Sequence, residues 1–114
     1  KRYILAQILL CTNYNKRIQI YIYGDQTKIF QSSQPLYASA NWQERETWEL
    51  LGFYFIQHTD LRRLLLDYGF IGQPLLKDFP LEGHEQIYYN HFHKVIRHMP
   101  TFLTQPFRNF NLSL

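Results

Sequence analysis

Strict alternation of isoleucine with other residues runs from Arg17 to Tyr23, and a glycine follows directly. Successive side chains of a β-strand point to opposite faces, so this alternation predicts a half-buried strand that ends in a turn. Residues 27–30 are predicted to pair back on it as a second short strand. The polar loop around Pro35 then leads to a short helical turn over residues 36–40.

The first residues show helical spacing instead. Over residues 3–13, Ile4, Ile8 and Cys11 fall on one side, which predicts an amphipathic helix packed on a core. Cys11 is the only cysteine, so an internal disulfide is excluded and a buried free thiol is the favoured interpretation. Cysteine usage therefore gives no indication of secretion.

A second helix is predicted over residues 41–51. Asn41 is a suitable cap, Glu44 would close a capping box, further acidic residues lie in the first turn, and a glycine stands just past the end. Trp48 and Leu51 share the side of this helix that is suited to burial.

A third helix is predicted to begin at Thr59 or Asp60 and to end at Gly69. Its apolar stripe would consist of Leu61, Leu64 and Leu65. The second and third helices each carry an arginine four residues before a carboxylate, and this spacing predicts surface ion pairs. The pairs are Arg45 with Glu49 and Arg63 with Asp67.

The rest of the chain lacks helical spacing. Residues 70–83 are rich in glycine and proline but also apolar, which predicts an irregular, ordered loop that lies on a surface. Residues 86–89 and 94–97 are predicted to form a hairpin, and a tail with widely spaced aromatic residues follows. The elements together predict an α+β domain in which helices cover one face of a small mixed sheet.

Charge is unevenly distributed along the chain. Residues 1–40 carry a net charge of +4, residues 41–85 of −4 and residues 86–114 of +3. The basic ends keep open a nucleic-acid-binding module that uses them together with exposed tyrosines. No apolar run approaches the roughly 20 residues that a membrane-spanning helix needs.

The sequence offers residues for two kinds of reactive site. His91 and His93, with His84 and His98 nearby, are the best metal ligands, but no cysteine pair or spaced third ligand accompanies them, so solvent-exposed histidines are favoured. Acid–base pairs could be drawn from five carboxylates, for which a structural ion-pair network is favoured. These are Glu44, Glu46, Glu49, Asp60 and Asp67. A hydrolase working through Glu44 or Glu46 remains a further alternative.

Several consecutive motifs lie between Ala40 and Gly83: Glu-Arg-Glu at 44–46, Asp-Leu-Arg-Arg at 60–63, Asp-Tyr-Gly-Phe at 67–70 and Lys-Asp-Phe-Pro-Leu at 77–81. This segment resembles the signature of the 30-kilodalton subunit of respiratory complex I, the proton-pumping NADH:ubiquinone oxidoreductase. Weaker similarity covers residues 14–22 and the tail over residues 104–110. The chain departs from the family at Thr59, Leu76, Glu49 and Leu51, where proline, arginine, aspartate and often an aromatic residue are usual.

The resemblance implies a non-catalytic scaffold subunit of the peripheral arm, on the matrix side of the mitochondrial inner membrane. The amino-acid usage is skewed, with nine phenylalanines and nine tyrosines against one valine, and this bias favours encoding by an organelle genome. Residues 1–85 would form the α+β core domain, and residues 86–114 a hairpin and a tail that wraps a partner. That partner would chiefly be the 49-kilodalton subunit near the quinone-reducing region, within a large hetero-oligomer. The FMN, the iron–sulfur clusters and ubiquinone would be bound elsewhere in the complex. The chain starts partway into the family's domain, so the family's first helix and strand would either lie on another chain or be lost. If they are absent, a neighbour would cover an edge of the sheet.

No catalytic, cofactor-binding or metal-binding residue is predicted. The residues predicted to lie at the subunit interface are charged or aromatic, the types found at desolvated interface centres and their rims. They are Glu44, Arg45, Glu46, Trp48, Asp60, Arg62, Arg63, Asp67, Tyr68, Lys77, Asp78, Phe79, Pro80, Phe107 and Arg108.

Overall fold

A computed structural model describes residues 3–24 and 28–110. The chain divides into two compact units, residues 1–73 and residues 74–114. Within the described residues the α+β class is confirmed, with one α-helix and three two-stranded sheets. The elements of the first unit are β1 (Tyr3–Cys11), β2 (Lys16–Gly24), β3 (Ile29–Gln31), α1 (Ala40–Leu51) and β4 (Tyr54–Ile56), and those of the second are β5 (Glu85–Asn90) and β6 (Val95–Pro100). Within the described residues, no helix is both long enough and apolar enough to cross a membrane.

The helix predicted over residues 3–13 is wrong, because this segment is the strand β1. It pairs antiparallel with β2 over nine residues, from Tyr3 opposite Gly24 to Cys11 opposite Lys16. A short, almost continuous apolar run fits both periodicities, and here the pairing with β2 decides between them. The thiol of Cys11, predicted to be buried, is exposed at the end of the strand.

The strand predicted from Arg17 to Tyr23 is confirmed as β2, although only its carboxyl-terminal end is shielded from solvent. Ile22 is half-buried, whereas Ile18 and Ile20 are exposed. The residues that follow do not pair back on β2 as predicted: β3 pairs in parallel with β4, with Phe30 opposite Phe55. Thr27 itself lies outside the described residues. A parallel pair needs a crossover connection, and α1 lies within that connection.

The core of the first unit is aromatic. It consists of Phe30, Phe53 and Phe55, and the rings of Phe30 and Phe53 meet edge to face with centroids 5.4 Å apart. Edge-to-face contact is a preferred geometry for aromatic pairs. The half-buried side chains packed against this core come from both strands of the hairpin and from the carboxyl-terminal half of α1. They are Tyr3, Leu5, Ile22, Trp48 and Leu51.

The helix predicted over residues 41–51 is confirmed, but its predicted cap is not. It begins at Ala40 after turns over residues 34–39, its first turn contains no acidic residue, and no side chain caps it. Asn41 lies inside the helix. At the other end Gly52 adopts a left-handed conformation with φ 75°, and its N–H donates to the carbonyl of Trp48. Glycine adopts this conformation without steric cost, which ends the helix where the sequence indicated.

The third helix is absent from residues 59–69, which form irregular structure. The backbone groups that a helix would bond internally are instead bonded to side chains of α1: three N–H groups to Glu49 and two carbonyls to Arg45. The leucines at 61, 64 and 65 therefore do not form a common stripe.

In the second unit the predicted hairpin is confirmed as β5 paired with β6. Its turn over residues 91–94 is held by Asn90, whose side-chain oxygen accepts the N–H groups of Phe92 and His93. Residues 70–83 are irregular, as predicted, and residues 101–110 contain no helix or strand. No residue between 74 and 110 is buried.

Candidate docking surface

The inward face of α1 carries three charged side chains that are buried within this chain. These are Glu44, Arg45 and Glu49. Burying an unpaired charge is costly, so each must find polar partners in the interior. The partners are mainly backbone groups of two segments, residues 32–33 after β3 and residues 62–66 after β4.

Glu49 is 1% exposed and holds the second of these segments. Its Oε2 accepts the N–H of Leu64 at 2.9 Å and that of Leu66 at 3.3 Å, while its Oε1 accepts the N–H of Leu65 at 2.9 Å. Burial alone raises the pKa of the Glu49 carboxyl. The three backbone hydrogen bonds and the nearby charge of Arg63 outweigh burial and hold that pKa below its ordinary value of 4.5.

Arg45 bonds the same segment through its carbonyls. Its Nε donates to the carbonyl of Arg62 at 3.0 Å, and its Nη2 donates to the carbonyl of Arg63 at 3.3 Å. The predicted surface ion pair between Arg45 and Glu49 is therefore wrong, because both side chains turn inward and bond backbone. The predicted pair of Arg63 with Asp67 is also absent from the described residues, since it depended on a helix that does not form.

Glu44 holds the first segment. Its Oε2 accepts the hydroxyl of Ser32 at 2.6 Å, and its Oε1 accepts the N–H of Ser33 at 2.7 Å. The fully buried ring of His58 lies beside it, with Nε2 3.9 Å from Oε2. On that ring Nδ1 accepts the N–H of Asp60 at 3.1 Å, which leaves Nε2 to donate to the carbonyl of Asn41 at 3.3 Å.

Arg63 is half-buried between two aromatic rings. Its guanidinium carbon lies 5.7 Å from the ring centroid of Trp48 and 5.6 Å from that of Phe70, distances typical of cation–π contacts. Its Nη2 donates to the carbonyl of Gly72 at 3.4 Å, whereas Nη1 is buried and has no hydrogen-bond partner among the described residues. The arginine thus clamps residues 63–72 against α1.

The segment over residues 60–72 consequently turns polar backbone inward and several side chains outward. Arg62 and Asp60 form an ion pair at 2.8 Å on the surface, and Asp67, Tyr68 and Ile71 are exposed. An exposed ion pair of this kind contributes about 0.2–1 kcal/mol at most to the stability of the chain itself. The energetic contribution of this ion pair would change if another protein buried the two side chains.

No described residue of the second unit is buried. Among its predicted interface residues, Lys77, Asp78, Phe107 and Arg108 are exposed and Phe79 and Pro80 are half-buried. Its exposed large apolar side chains include Leu75, Leu81, Ile96, Phe102 and Phe110. We call the described residues 74–110 the carboxyl-terminal arm. Where exposed apolar side chains form a contiguous patch, they mark an interaction site.

The predicted interface residues thus fall into three groups by exposure. Glu44 and Arg45 are buried and contact their own chain: Glu44 bonds residues 32–33, whereas Arg45 bonds the carbonyls of Arg62 and Arg63 in the outward segment. Glu46, Trp48, Asp60 and Arg63 are half-buried, as are Phe79 and Pro80. The remaining members are exposed. They are Arg62, Asp67, Tyr68, Lys77, Asp78, Phe107 and Arg108.

A catalytic or metal-binding arrangement finds little support in the same geometry. Both carboxylate oxygens of Glu44 are bonded to Ser32 and Ser33, and those of Glu49 are bonded to backbone. The described residues contain no group of three or more histidine, cysteine or acidic side chains arranged to hold a metal ion. His91 and His93 are exposed at the hairpin turn.

Sequence reasoning missed His58, Ser32 and Ser33, and misplaced the buried charges. A signal for Glu44 was present: at 3.6 residues per turn, Glu44, Trp48 and Leu51 lie within about 60° of one another around α1. Because Trp48 and Leu51 were assigned to the buried side, Glu44 belonged there too. No comparable local signal identifies the partners, because they are distant in sequence.

The chain is similar to a group of known proteins over most of its length. The family model for the respiratory-chain NADH dehydrogenase 30-kilodalton subunit matches residues 1–85. A Neurospora crassa protein named NADH-ubiquinone oxidoreductase 30.4 kDa subunit, mitochondrial, is 44% identical over 110 residues, covering 96% of this chain and 39% of the relative. An Oryza sativa protein named NADH dehydrogenase [ubiquinone] iron-sulfur protein 3 is 42% identical over 113 residues, covering 99% of this chain and 60% of the relative.

A third relative, from Dictyostelium citrinum, is named NADH-ubiquinone oxidoreductase subunit 9. It is 41% identical over 110 residues, covering 96% of this chain and 53% of the relative. The chain therefore spans about half the length of the relatives that it matches, between 39% and 60% in these three.

Proposed function

Because this chain belongs to the family of the 30-kilodalton subunit of the respiratory-chain NADH dehydrogenase, we propose that it is a non-catalytic scaffold subunit of the proton-pumping NADH:ubiquinone oxidoreductase. It would support electron transfer from NADH to ubiquinone by holding the peripheral arm of the enzyme together. Its partners would be other subunits of the complex, chiefly the 49-kilodalton subunit near the quinone-reducing region. The names of the relatives favour this function over a nucleic-acid-binding module.

The observation that carries this proposal is the absence of a core in the carboxyl-terminal arm. Its described residues include many large apolar side chains, yet none of them is buried. An isolated two-stranded hairpin is marginally stable at best in water. The arm would therefore gain its stability by lying on another polypeptide, as expected for a segment that wraps a partner.

The outward segment over residues 60–72 supplies the second part of the proposed interface. Its backbone is fixed from the inside by Arg45 and Glu49, so Arg62, Tyr68 and Ile71 are presented in a set arrangement. A surface ordered before binding loses less conformational entropy on docking than a mobile one. If docking buries the pair of Asp60 and Arg62, removing one partner would cost about 2–5 kcal/mol of assembly free energy.

We further propose that the FMN, the iron–sulfur clusters and ubiquinone are bound by other subunits. A cluster held by thiolates normally takes four cysteines, and this chain has one. The chain would lie in mitochondria, on the matrix side of the inner membrane; the Neurospora crassa relative carries the word mitochondrial in its name. Encoding by the organelle genome stays an expectation from the skewed amino-acid usage.

The test replaces Leu81, 79% exposed in the arm, by glutamate and follows incorporation into the enzyme on native gels together with NADH:quinone activity. Leu36→Glu is the matched control, because Leu36 is 82% exposed in a turn of the first unit. We expect Leu81→Glu to lower assembly and activity in parallel, and Leu36→Glu to leave both unchanged. Normal assembly of Leu81→Glu would contradict the role of the arm.

Two further variants separate scaffolding from chemistry. Arg62→Ala and Asp78→Ala alter exposed side chains of the proposed interface, so they should weaken assembly without disturbing the core. Activity per assembled complex should stay at the wild-type level. A fully assembled complex that has lost NADH:quinone activity would refute a purely scaffolding role.

A further inference from the structure

His58 differs from the other histidines of the chain, because its side chain has no exposed surface. The ring is enclosed by residues of this chain alone, so its surroundings do not depend on a partner. Burying an ionisable ring is costly unless its polar atoms are bonded. The contacts of the two ring nitrogens must therefore account for its position.

Both ring nitrogens have polar partners, and these partners fix where the hydrogen lies. A backbone N–H only donates, so Nδ1, 3.1 Å from the nitrogen of Asp60, must be the unprotonated acceptor. Nε2 lies 3.3 Å from the carbonyl oxygen of Asn41, which only accepts, so Nε2 carries the hydrogen. The ring that satisfies both contacts is neutral.

A second proton can enter this ring only at Nδ1. The protonated nitrogen would then face the N–H of Asp60 as donor against donor, and the hydrogen bond would be lost. Proton uptake by His58 and its bond to Asp60 thus exclude each other. Histidine is the side chain whose charge ordinarily changes between about pH 5 and pH 8.

A charged ring would have a counter-charge in place. Oε2 of Glu44 on α1 lies 3.9 Å from Nε2, and no other described side chain forms an ion pair with the ring. A carboxylate at this distance attracts an imidazolium. The remaining charges around the ring are engaged elsewhere: Asp60 pairs with Arg62 on the surface, and Arg45 bonds the carbonyl of Arg62. His58 therefore has two arrangements, a neutral one bonded to Asp60 and a charged one paired with Glu44.

The bond to Asp60 sets the start of the outward segment. Both carboxylate oxygens of Asp60 accept Nε of Arg62, at 2.9 and 2.8 Å. The residues on either side are held separately, since the N–H and hydroxyl of Thr59 donate to Gln34 and the carbonyl of Arg62 accepts from Arg45. Loss of the bond would thus redirect Asp60 and its ion pair without releasing the rest of the segment.

We propose that His58 is a proton-operated latch on the outward segment. The neutral ring holds Asp60 and so aims the pair of Asp60 and Arg62, whereas the protonated ring pairs with Glu44 and lets Asp60 go. The latch itself works within this chain. Its effect on assembly rests on the proposed function, because the surface that it sets is part of the proposed interface. Acidification would then weaken the contact between this subunit and its neighbour.

Nuclear magnetic resonance of the full chain tests the latch without the enzyme. At about pH 8 the ring nitrogen shifts of His58 should report a hydrogen on Nε2 and none on Nδ1. Between about pH 8 and pH 5 the ring should take up a proton. With the same midpoint, the protection of the Asp60 amide, corrected for the intrinsic pH dependence of exchange, should fall about tenfold through loss of one hydrogen bond. This range lies above 4.5, so Glu49 keeps its charge throughout.

Three results of this titration would overturn the latch. They are a hydrogen on Nδ1 at about pH 8, a ring that stays neutral down to about pH 5, and an Asp60 amide that does not follow the ring. The other histidines are exposed and provide an internal control, because their titration should leave the Asp60 amide unchanged. They are His84, His91, His93 and His98.

Two amide variants fix the latch in its two positions. In His58→Asn the side-chain oxygen can accept the N–H two residues on, a contact that asparagine commonly makes, and it does not titrate. In His58→Gln the longer side chain directs its amide group toward Asn41 and leaves the N–H of Asp60 without its acceptor. We expect the Asp60 amide to be protected at every pH in His58→Asn and at none in His58→Gln. Both variants lose the ring, so the difference between them reports on the bond to Asp60.

The same variants test whether the latch acts in the enzyme. Purified chain is added to enzyme depleted of it, and incorporation is followed on native gels. We expect His58→Asn to be incorporated about tenfold better than His58→Gln, the factor for one hydrogen bond. Wild type should match His58→Asn at about pH 8 and fall toward His58→Gln at about pH 5.5.

The outcomes separate the latch from the proposed function. Equal incorporation of the two variants, or incorporation of wild type that does not change with pH, would overturn the action of the latch on the interface. Failure of wild type to enter the enzyme would instead refute the proposed function. The coupling of His58 to Asp60 would in that case still be decided by the titration of the full chain.

Discussion

Glu49 provides the sharpest test of how this chain holds its outward segment, because a single side chain replaces the internal hydrogen bonds of a predicted helix. We consider Glu49→Gln, which keeps the shape of the side chain and removes its charge. In glutamine an amide nitrogen takes the place of one oxygen, so at least one of the three backbone N–H groups would face a donor. The remaining hydrogen bonds would be made to a neutral oxygen.

The magnitude follows from those contacts. Hydrogen bonds to a buried charged group contribute about 1.5–3 kcal/mol each, and leaving a buried donor unpaired costs about 1–3 kcal/mol. Part of this loss is offset because glutamine is less costly to bury than a carboxylate. We therefore expect Glu49→Gln to lower the free energy of unfolding by about 2–4 kcal/mol, a large effect for one substitution.

The effect should depend on pH with a definite sign. The pKa of the Glu49 carboxyl in the folded chain lies below 4.5, its ordinary value, so the unfolded chain binds the proton more readily. The stability that the carboxylate supplies is complete above about pH 4.5 and is lost as the pH falls from there through the lowered pKa. The difference in stability between wild type and Glu49→Gln should therefore shrink in that acidic range.

The assay is equilibrium urea unfolding of the purified chain at neutral and acidic pH, together with amide hydrogen exchange at Leu64, Leu65 and Leu66. Glu46→Gln is the control, because Glu46 lies on the same helix, is half-exposed and makes no hydrogen bond or ion pair with any described residue. It should change the stability by about 0.5 kcal/mol or less. Equal stabilities of the two variants, or unchanged exchange at the three leucine amides, would refute the assigned role of Glu49.

Substitutions at three further positions have definite expected effects on the thermal stability of the chain. Arg45→Ala should lower the free energy of unfolding by about 2–4 kcal/mol, because two backbone carbonyls lose a charged donor, and Arg45→Lys should recover only part of the loss. Gly24→Ala should cost about 1–3 kcal/mol, since its new Cβ would lie 2.5 Å from Cζ of the buried Phe30 ring. Gly52→Ala should cost about 1–2 kcal/mol, because alanine is strained at φ 75°. A melting temperature within about 1 °C of the wild type would contradict the reasoning in each case.

Local patterns identified some elements correctly. The alternation around Ile20 predicted β2, and the glycine at 52 predicted the end of α1. The sequence patterns near Tyr88 and Ile96 predicted the hairpin formed by β5 and β6. Each of these signals lies within the element that it predicts. Hydrophobic periodicity and glycine conformations depend on neighbouring residues, so the sequence alone is sufficient for them.

The wrong secondary-structure predictions concern segments whose conformation depends on residues that are distant in sequence. The segment from Tyr3 to Cys11 could be a helix or a strand until its pairing with β2 is known. The segment after Thr59 had good helical spacing, but Glu49 bonds its N–H groups and Arg45 its carbonyls. Intrinsic preference is weak compared with such tertiary contacts. The buried charges of α1 escaped prediction for the same reason, since their partners follow β3 and β4.

The interface residues predicted from the motifs differ in their burial within this chain. Motif resemblance marks residues that matter without saying whether they contact a partner or support those that do. Here Glu44 and Arg45 are buried within their own chain, whereas Arg62 and Tyr68 face outward. Only the burial of each side chain makes that distinction.

The exposed apolar side chains of the carboxyl-terminal arm should shorten the lifetime of the unassembled protein in the cell. A newly made chain that has not met its neighbours would display the side chains of residues such as Leu81 and Phe102 to chaperones and proteases. Unfolded or partly folded chains are continually removed by these systems. Surplus copies would thus be degraded, and the amount of this protein would follow the supply of the polypeptides that cover its arm.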